Sequence, residues 1–309
     1  MPRLFSALLL SLLLSQGVGA QDASERWYKV ELLVFEQPNG LNAEQWNPLP
    51  ELRYPDALRF LVDPRQLEAA RNRYGSASHV DSRGRIVAAT TAPGLGGVHA
   101  DALGAPEDAT PLPSAFVKLP NAEQELRDTA AYMQRAGGYR TLFHEAWLQP
   151  VTDASRAIPL ALDTSGDTPT WPELQGTITL SLARFLSLET NLWLNTQGNY
   201  LPSGWQMPAP PKAPPALLLN SPLLDDGSAA APVAGATQGN LGTVQSSPQQ
   251  KAGDGIAEAP YPYRHAVLHQ QTRRMRSNQM HYLDHPLLGV IIKLTPLETG
   301  EVAEPAQDE

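Results

Sequence analysis

Residues 176–195 read GTITLSLARFLSLETNLWLN, and this stretch decides the fold class. Apolar residues occupy most even positions on both sides of Arg184–Phe185, and polar residues occupy most odd ones. A period of two is typical of a β-strand with one buried face and one solvated face. At about 3.3 Å per residue, a single straight strand would be unusually long. We therefore expect the segment to bend, to bulge near Arg184–Phe185, or to fold back as a hairpin.

Other segments predict the rest of the sheet. Trp27 to Phe35 is rich in β-branched and aromatic residues and is apolar on both faces, which is typical of a central strand. Residues 139–149 and 289–294 predict two more strands, and 267–276 can form another. Strands and helices do not alternate regularly along the chain. We therefore expect an α+β fold: a largely antiparallel sheet with long strands and two or three helices.

Two helices are marked by their ends. Asp63 is a suitable N-cap, Pro64 suits the first helical position, and Gly75 suits the end of this first helix. A second helix is predicted to begin with a capping box of Asn121 and Gln124 and to end at a Gly-Gly pair.

The N-terminus has the pattern of a secretory signal peptide over residues 1–20. Arg3 precedes a short apolar run, and small residues precede a predicted cleavage site after Ala20. The apolar run is too short to span a bilayer, and no later segment is apolar enough to do so. No Cys follows it to carry a lipid anchor. The sequence therefore predicts a soluble, exported protein without a membrane span.

A proline-, alanine- and glycine-rich segment interrupts the predicted domain. Residues 206–259 contain no aromatic residue, so they offer little apolar surface to offset the entropy lost on ordering. We expect a disordered insertion there and a loose acidic tail at 299–309. Residues 21–205 and 260–298 together would form a single globular domain.

Composition excludes several functional classes. The chain has 23 Lys and Arg against 32 Asp and Glu, a net charge of −9, and no Cys. Thiolate catalysis is impossible, and an acidic chain is poorly suited to a nucleic-acid backbone. No phosphate-binding glycine loop, GxSxG, SxxK or paired-carboxylate motif occurs. We therefore expect a protein that is not an enzyme and uses no cofactor.

A basic segment is the best candidate for a binding site. Four arginines and three histidines lie within 263–283, and no acidic residue occurs between Glu258 and Asp284. Guanidinium groups bind carboxylates and phosphates in bidentate geometry. On a strand, Arg274 and Arg273 would point to opposite faces unless the chain bends near Met275. The alternative is that these arginines pair with acids elsewhere in the fold. The candidate ligand-binding residues are Arg273, Arg274, Arg276, His281, Tyr282 and Trp193, the last because it shares the polar parity of its strand.

A metal site is a weaker interpretation of the same region. On a helix, His281, Asp284 and His285 would converge at the spacing that zinc ligands use. Pro286 disfavours a helix at His285, and no second ligand cluster occurs in the sequence. A turn held by hydrogen bonds of Asp284 and His285 is the favoured interpretation, and we expect no metal.

The segment RRMRSNQMHYLDHPLLGVIIKLTP, from Arg273 to Pro296, resembles the closing motif of the CsiV family of periplasmic peptidoglycan-binding proteins. The blocks at 27–37, 137–150 and 176–195 also agree with that family. The resemblance implies a periplasmic protein that binds peptidoglycan. It also implies support of a class A penicillin-binding protein, together with that synthase's outer-membrane lipoprotein activator. It supplies no catalytic residues.

Two other functions stay open at this point. One is a protein–protein adaptor without direct wall contact, which would use the sheet or the leucines at 217–219 and 223–224. The other is a metal-dependent hydrolase built on His281, Asp284 and His285.

Overall fold

A computed structural model describes residues 26–38, 46–89, 115–163, 170–198, 200–220 and 260–297. The predicted signal peptide at 1–20 and acidic tail at 299–309 lie outside the described residues. Two four-stranded antiparallel sheets, one small three-stranded sheet and two α-helices make up the described regular structure, apart from one 3-10 turn. The expected α+β class is confirmed. No helix in the described ranges has the length and apolar character needed to cross a membrane.

The first sheet, here sheet A, has the strand order β10-β11-β1-β4. The prediction of a central strand is confirmed, because β1 pairs antiparallel with β11 on one side and with β4 on the other. The strands are β1 (Arg26–Glu36), β4 (Arg140–Val151), β10 (Met280–Leu283) and β11 (Leu288–Pro296).

The second sheet, sheet B, has the order β5-β6-β7-β9. Of the three outcomes expected for 176–195, the structure has the hairpin: Leu182 pairs with Leu186 across a turn at 183–185. This register pairs even positions with even positions, so the leucines of both arms share one face. The strands are β5 (Leu160–Ala161), β6 (Leu174–Leu182), β7 (Leu186–Thr196) and β9 (His265–Met275).

The two large sheets pack face to face. The main core cluster joins Val30 and Leu32 of sheet A with Leu188 and Leu192 of sheet B, all fully buried. The other face of sheet A is covered by a helix, which buries Ala130 against Phe35 and its neighbours. Irregular segments cover one end of the other face of sheet B. No other described segment packs on the rest of that face, where Glu189, Gln270, Thr272 and Arg274 are exposed.

The helices partly match their predictions. α1 spans Pro64–Tyr74, and Asp63 Oδ1 accepts a hydrogen bond of 3.0 Å from the Arg65 amide, as an N-cap does. α2 spans Arg127–Gly137, so it begins later than the predicted capping box. Asn121–Glu123 form a 3-10 turn instead, and the Gln124 amide donates to the His144 carbonyl at 3.2 Å.

The predicted insertion is wrong for residues 206–220. Met207 is buried, and the carbonyl of Pro210 accepts a 3.0 Å hydrogen bond from the Trp171 indole. Prolines favour an extended backbone whose carbonyls stay free to accept, so this stretch packs on sheet B without forming a helix. Residues 221–259 of the predicted insertion lie outside the described residues. The stretch ends in β8 (Leu217–Asn220), which pairs parallel with β3 (Ile86–Ala89); β3 also pairs with β2 (His79–Val80).

Candidate ligand-binding surface

Three arginines lie exposed where β9 ends. Arg273 and Arg274 directly precede the last residue of this strand, Met275, and Arg276 follows the strand. β9 is an edge strand of sheet B, and its register places Arg274 opposite Ser187 on the outer face. Arg273 lies opposite the buried Leu188, so the alternation of β9 assigns it to the inner face, as predicted. Its side chain is nevertheless exposed. We call these three residues the arginine cluster.

The arginine cluster has no internal counter-charge among the described residues. Other arginines do: Arg85 pairs with Asp81 at 2.7 Å and Arg140 with Glu36 at 2.6 Å. No ion pair links Arg273, Arg274 or Arg276 to an acid in the described ranges. The alternative that they pair with acids elsewhere in the fold therefore finds no support in this part of the chain. Within the described part of the chain, nothing neutralises these three guanidinium groups.

An exposed aromatic ring extends the cluster onto the β6–β7 turn. Phe185 is 48% exposed, and the guanidinium carbons of Arg184 and Arg274 lie 5.4 and 5.6 Å from its ring centroid. A guanidinium at this distance from a ring face is attracted to the π electrons. Phe185 thereby brings a fourth exposed arginine, Arg184, next to the arginine cluster.

A polar platform adjoins the cluster on the outer face of sheet B. Cross-strand register aligns Thr179, Glu189 and Thr272 in one row, and Ser181, Ser187 and Arg274 in the next. Part of this face forms a depression of about 310 Å³ lined by hydroxyl, amide and carboxylate side chains. The polar platform comprises Thr177, Thr179, Ser181, Ser187, Glu189, Asn191, Gln270, Thr272 and Arg274.

The sequence predicts the solvent-exposed face of β6 and β7 but does not reveal the polar platform. The alternation in 176–195 marks the solvated residues of two strands. The polar stretch Gln270–Arg274 was visible only as part of a basic segment. Its alignment with Glu189 depends on pairing between strands about 80 residues apart, which no local pattern reveals.

Trp193 is not exposed, so the expectation from its parity is wrong. It is fully buried, its ring centroid lies 5.0 Å from that of Tyr54, and its indole donates to Gln175 Oε1 at 3.3 Å. The segments around Tyr54 and Trp205 cover this end of sheet B and convert an outer-face position into core. Trp193 therefore contributes to the fold and not to the exposed surface.

A buried polar network surrounds this tryptophan. The Asn195 amide donates to Gln175 Oε1 at 2.7 Å, and Tyr261 donates to Asn195 Oδ1 at 2.9 Å. Nearby, burial raises the pKa of Asp163 to about 7, while its hydrogen bond from the Gly176 amide acts in the opposite direction. These groups help to fix the covering segments on sheet B.

His281 and Tyr282 lie apart from the platform. His281 Nε2 lies 3.0 Å from both the amide nitrogen and the carbonyl oxygen of Arg276, so this ring braces the turn after β9. Tyr282 lies opposite Ile291 on the outer face of sheet A, and its ring stacks on Phe35 at 6.3 Å. Arg274 and Tyr282 thus project from outer faces of different sheets. The six predicted residues do not form one surface.

The predicted turn around Asp284 and His285 is present. Asp284 Oδ1 accepts hydrogen bonds from Tyr282 Oη at 2.6 Å and from Gln37 Nε2 at 3.0 Å. His285 Nδ1 accepts from the amides of Leu287 and Leu288 at 3.2 and 3.3 Å. No group of three His, Asp or Glu side chains in the described ranges is arranged to hold a metal ion.

The burial of His269 was not anticipated from the sequence. His269 is fully buried on β9, its Nδ1 lies 3.0 Å from Thr190 Oγ1, and its ring centroid lies 5.2 Å from that of His285. Burial, with a smaller contribution from His285, lowers the pKa of His269 to about 4. The imidazole is therefore neutral at pH 7.

Comparison with known proteins identifies a family. Residues 5–297 match the family described as "Peptidoglycan-binding protein, CsiV". Searches of curated proteins and of solved structures find no match for the chain. The family match covers nearly the whole chain, including the platform, the arginine cluster and the motif from Arg273 to Pro296. The chain therefore belongs to the CsiV family.

Proposed function

We propose that this protein binds peptidoglycan in the periplasm, without catalysis, and that the arginine cluster is the centre of its binding surface. The family description supports the ligand. The observation that carries the site is the presence of three exposed arginines within four consecutive residues, none with an ion-pair partner in the described ranges. Peptidoglycan stem peptides present carboxylates, which guanidinium groups bind through paired N–H···O bonds of about 2.7–2.9 Å.

Several weak contacts explain binding better than one strong contact. An exposed ion pair contributes about 0–1 kcal/mol, so no single arginine of the cluster is expected to determine affinity. A polymer with repeated carboxylates can engage several guanidinium groups at once, which raises the apparent affinity without new kinds of contact. Because exposed charges are screened over about 8–10 Å at moderate ionic strength, binding should weaken as salt is added.

Co-sedimentation with purified sacculi tests the proposal. The protein lacking residues 1–20 is compared with an Arg273→Ala/Arg274→Ala/Arg276→Ala variant at low and high salt. A matched control removes three exposed arginines elsewhere, Arg53, Arg65 and Arg127, whose side chains are 80%, 80% and 60% exposed. We expect the wild type and the control to pellet at low salt and the cluster variant to remain mostly in solution.

Two outcomes would contradict this proposal in different ways. If the cluster variant, shown by circular dichroism to be folded, pellets like the wild type, the arginine cluster is not the site. If the wild type itself stays in solution, direct wall binding is wrong and the adaptor function takes its place.

We also propose that the protein supports a class A penicillin-binding protein together with its outer-membrane lipoprotein activator. The resemblance of the motif blocks to the CsiV family supports this proposal. Leu217 and Leu219 of β8, which are 42% and 57% exposed, offer an apolar strand for such contacts. This surface lies on a different sheet from the polar platform, so wall binding and partner binding need not compete.

A further inference from the structure

We infer that the polar platform recognises a zwitterionic amino-acid head group, with an ammonium and a carboxylate on the same carbon. This is the chemistry of the free end of a stem-peptide diamino acid. The inference rests on the proposed peptidoglycan binding and names the part of that polymer that the platform binds.

The position of Glu189 indicates that the platform can bind more than an anion. It is exposed on β7, directly opposite Thr272 and diagonal to Arg274 on the same face of sheet B. Diagonal neighbours on antiparallel strands lie about 7–8 Å apart, with their side chains on one surface. Neither Glu189 nor Arg274 forms an ion pair with any residue in the described part of the chain. The platform thus presents one carboxylate and one guanidinium group on the same face, each without an ion-pair partner in the described ranges.

A surface that binds only carboxylates would have a lower affinity for them if one of its own side chains were a carboxylate. Like charges near each other disfavour the charged forms of both groups. A ligand with an ammonium next to its carboxylate removes this conflict, because Glu189 receives the ammonium and Arg274 receives the carboxylate. Charge-assisted hydrogen bonds of about 2.7–2.9 Å on each side would fill the separation between the two side chains.

The surroundings fit a small polar head group. The depression beside Glu189 has a volume of about 310 Å³ and is lined by Thr177, Thr179, Asn191 and Gln270, among others. Hydroxyl and amide groups both donate and accept hydrogen bonds, so they can bind the peptide groups that flank the diamino acid. Phe185 lies at the Arg274 end of the platform, where it can contact the aliphatic part of the ligand.

The alternative occupant of this face is the glycan strand, which carries hydroxyl and acetamido groups. A sugar hydroxyl can donate to Glu189, and it can still donate to the neutral carbonyl oxygen of a glutamine side chain at that position. An ammonium instead requires the negative charge. The substitution Glu189→Gln therefore separates the two ligands, since it preserves size and a carbonyl acceptor but removes the charge.

Binding of soluble probes tests the inference. A stem tripeptide ending in diaminopimelate is compared, by calorimetry, with the same peptide whose side-chain amine is acetylated; an N-acetylglucosamine oligomer is the glycan probe. The wild type, Glu189→Gln and a control, Glu51→Gln, are each titrated. Glu51 lies outside the platform, and its side chain is 81% exposed.

We expect the free-amine peptide to bind the wild type and the control about tenfold more tightly than it binds Glu189→Gln. The acetylated peptide should bind the wild type no more tightly than Glu189→Gln, because the ammonium partner of Glu189 is gone and only the repulsion between Glu189 and the ligand carboxylate remains.

Equal affinity of the free-amine peptide for wild type and Glu189→Gln would overturn the inference. So would tight binding of the glycan oligomer with no binding of either peptide. Both results are compatible with sacculi that pellet through the arginine cluster, so the failure of this inference is distinguishable from failure of the proposed function. If sacculi do not pellet with the wild type, the proposed function fails first, and the inference fails with it.

Discussion

Arg264 and Arg274 belong to the same basic segment, but they have different roles. The Arg264 guanidinium donates to the carbonyls of Pro202 and Trp205, at 2.7 Å each, and so it fixes a loop. Arg274 lies at the end of an edge strand and has no ion-pair partner in the described ranges. Both residues contribute to the basic segment that the sequence singles out, although only Arg274 is among the candidate ligand-binding residues. Only the neighbours supplied by distant segments separate the structural arginine from the one available to a ligand.

His269 makes the stability of the fold depend on pH. Its pKa is about 4 in the folded protein and 6.5 in the unfolded chain, so the unfolded chain binds the extra proton first as pH falls. The stabilisation that comes from the neutral ring is present above pH 6.5 and is lost between pH 6.5 and about 4. The difference in pKa corresponds to about 3 kcal/mol. We expect the free energy of unfolding, measured by urea titration, to fall over that range.

A His269→Asn variant provides the comparison for this prediction. Asparagine can keep the hydrogen bond to Thr190 but does not titrate. Asp163 affects the pH dependence of the free energy of unfolding in the opposite direction. Its raised pKa favours folding at low pH, and this stabilisation is lost as pH rises through about 7. Because Asp163 is present in both proteins, its contribution cancels in the difference between their free energies of unfolding. If that difference does not change between pH 7 and pH 4, the account of His269 is wrong.

At the scale of elements, strands were predicted better than helix ends. The β-structure of 176–195 follows from its alternation, although a bend, a bulge and a hairpin all stayed open, and β1 follows from its continuous apolar character. The start of α2 does not follow from local sequence, because its cap comes from another element. Glu31 of β1 accepts hydrogen bonds from the amides of Glu125 and Leu126 at 2.9 and 2.8 Å. A cap about 95 residues away in sequence cannot be read from a local motif.

Glu31 is therefore predicted to be a major stabilising residue of the α2 layer. It is buried and also lies 2.9 Å from His144 Nε2. Burial alone would raise its pKa, but the hydrogen bonds from His144, Leu126 and Glu125 outweigh burial and lower it. Glu31→Ala would leave the buried amide of Leu126 and the partly buried amide of Glu125 without their acceptor, so we expect a loss of about 2–4 kcal/mol in the free energy of unfolding.

Chemical denaturation measures this loss, with two comparisons. Glu31→Gln keeps one acceptor oxygen and should cost less than Glu31→Ala. Glu123→Ala removes an exposed carboxylate from the same region and should change stability by less than about 0.5 kcal/mol. A Glu31→Ala variant as stable as Glu123→Ala would show that the long-range cap does not stabilise α2.

At the scale of the whole molecule, the chain crosses from sheet B to sheet A between β9 and β10. This crossing explains why the predicted site residues lie on two different surfaces. Arg274 stays on the outer face of sheet B, whereas Tyr282, only eight positions later, lies on the outer face of sheet A against Phe35. The sequence singled out this segment but could not reveal that its two halves belong to different sheets. It also could not place Trp193 under a covering segment that comes from elsewhere in the chain.

Arginine footprinting on sacculi tests the central claim most directly, because it uses the unaltered protein. Phenylglyoxal modifies accessible guanidinium groups, and mass spectrometry locates each modified residue. We predict that sacculi protect Arg273, Arg274 and Arg276 from modification, while Arg53 and Arg127 react as they do without sacculi. Protection confined to arginines outside the cluster, with all three cluster residues fully reactive in the pelleted protein, would contradict the account.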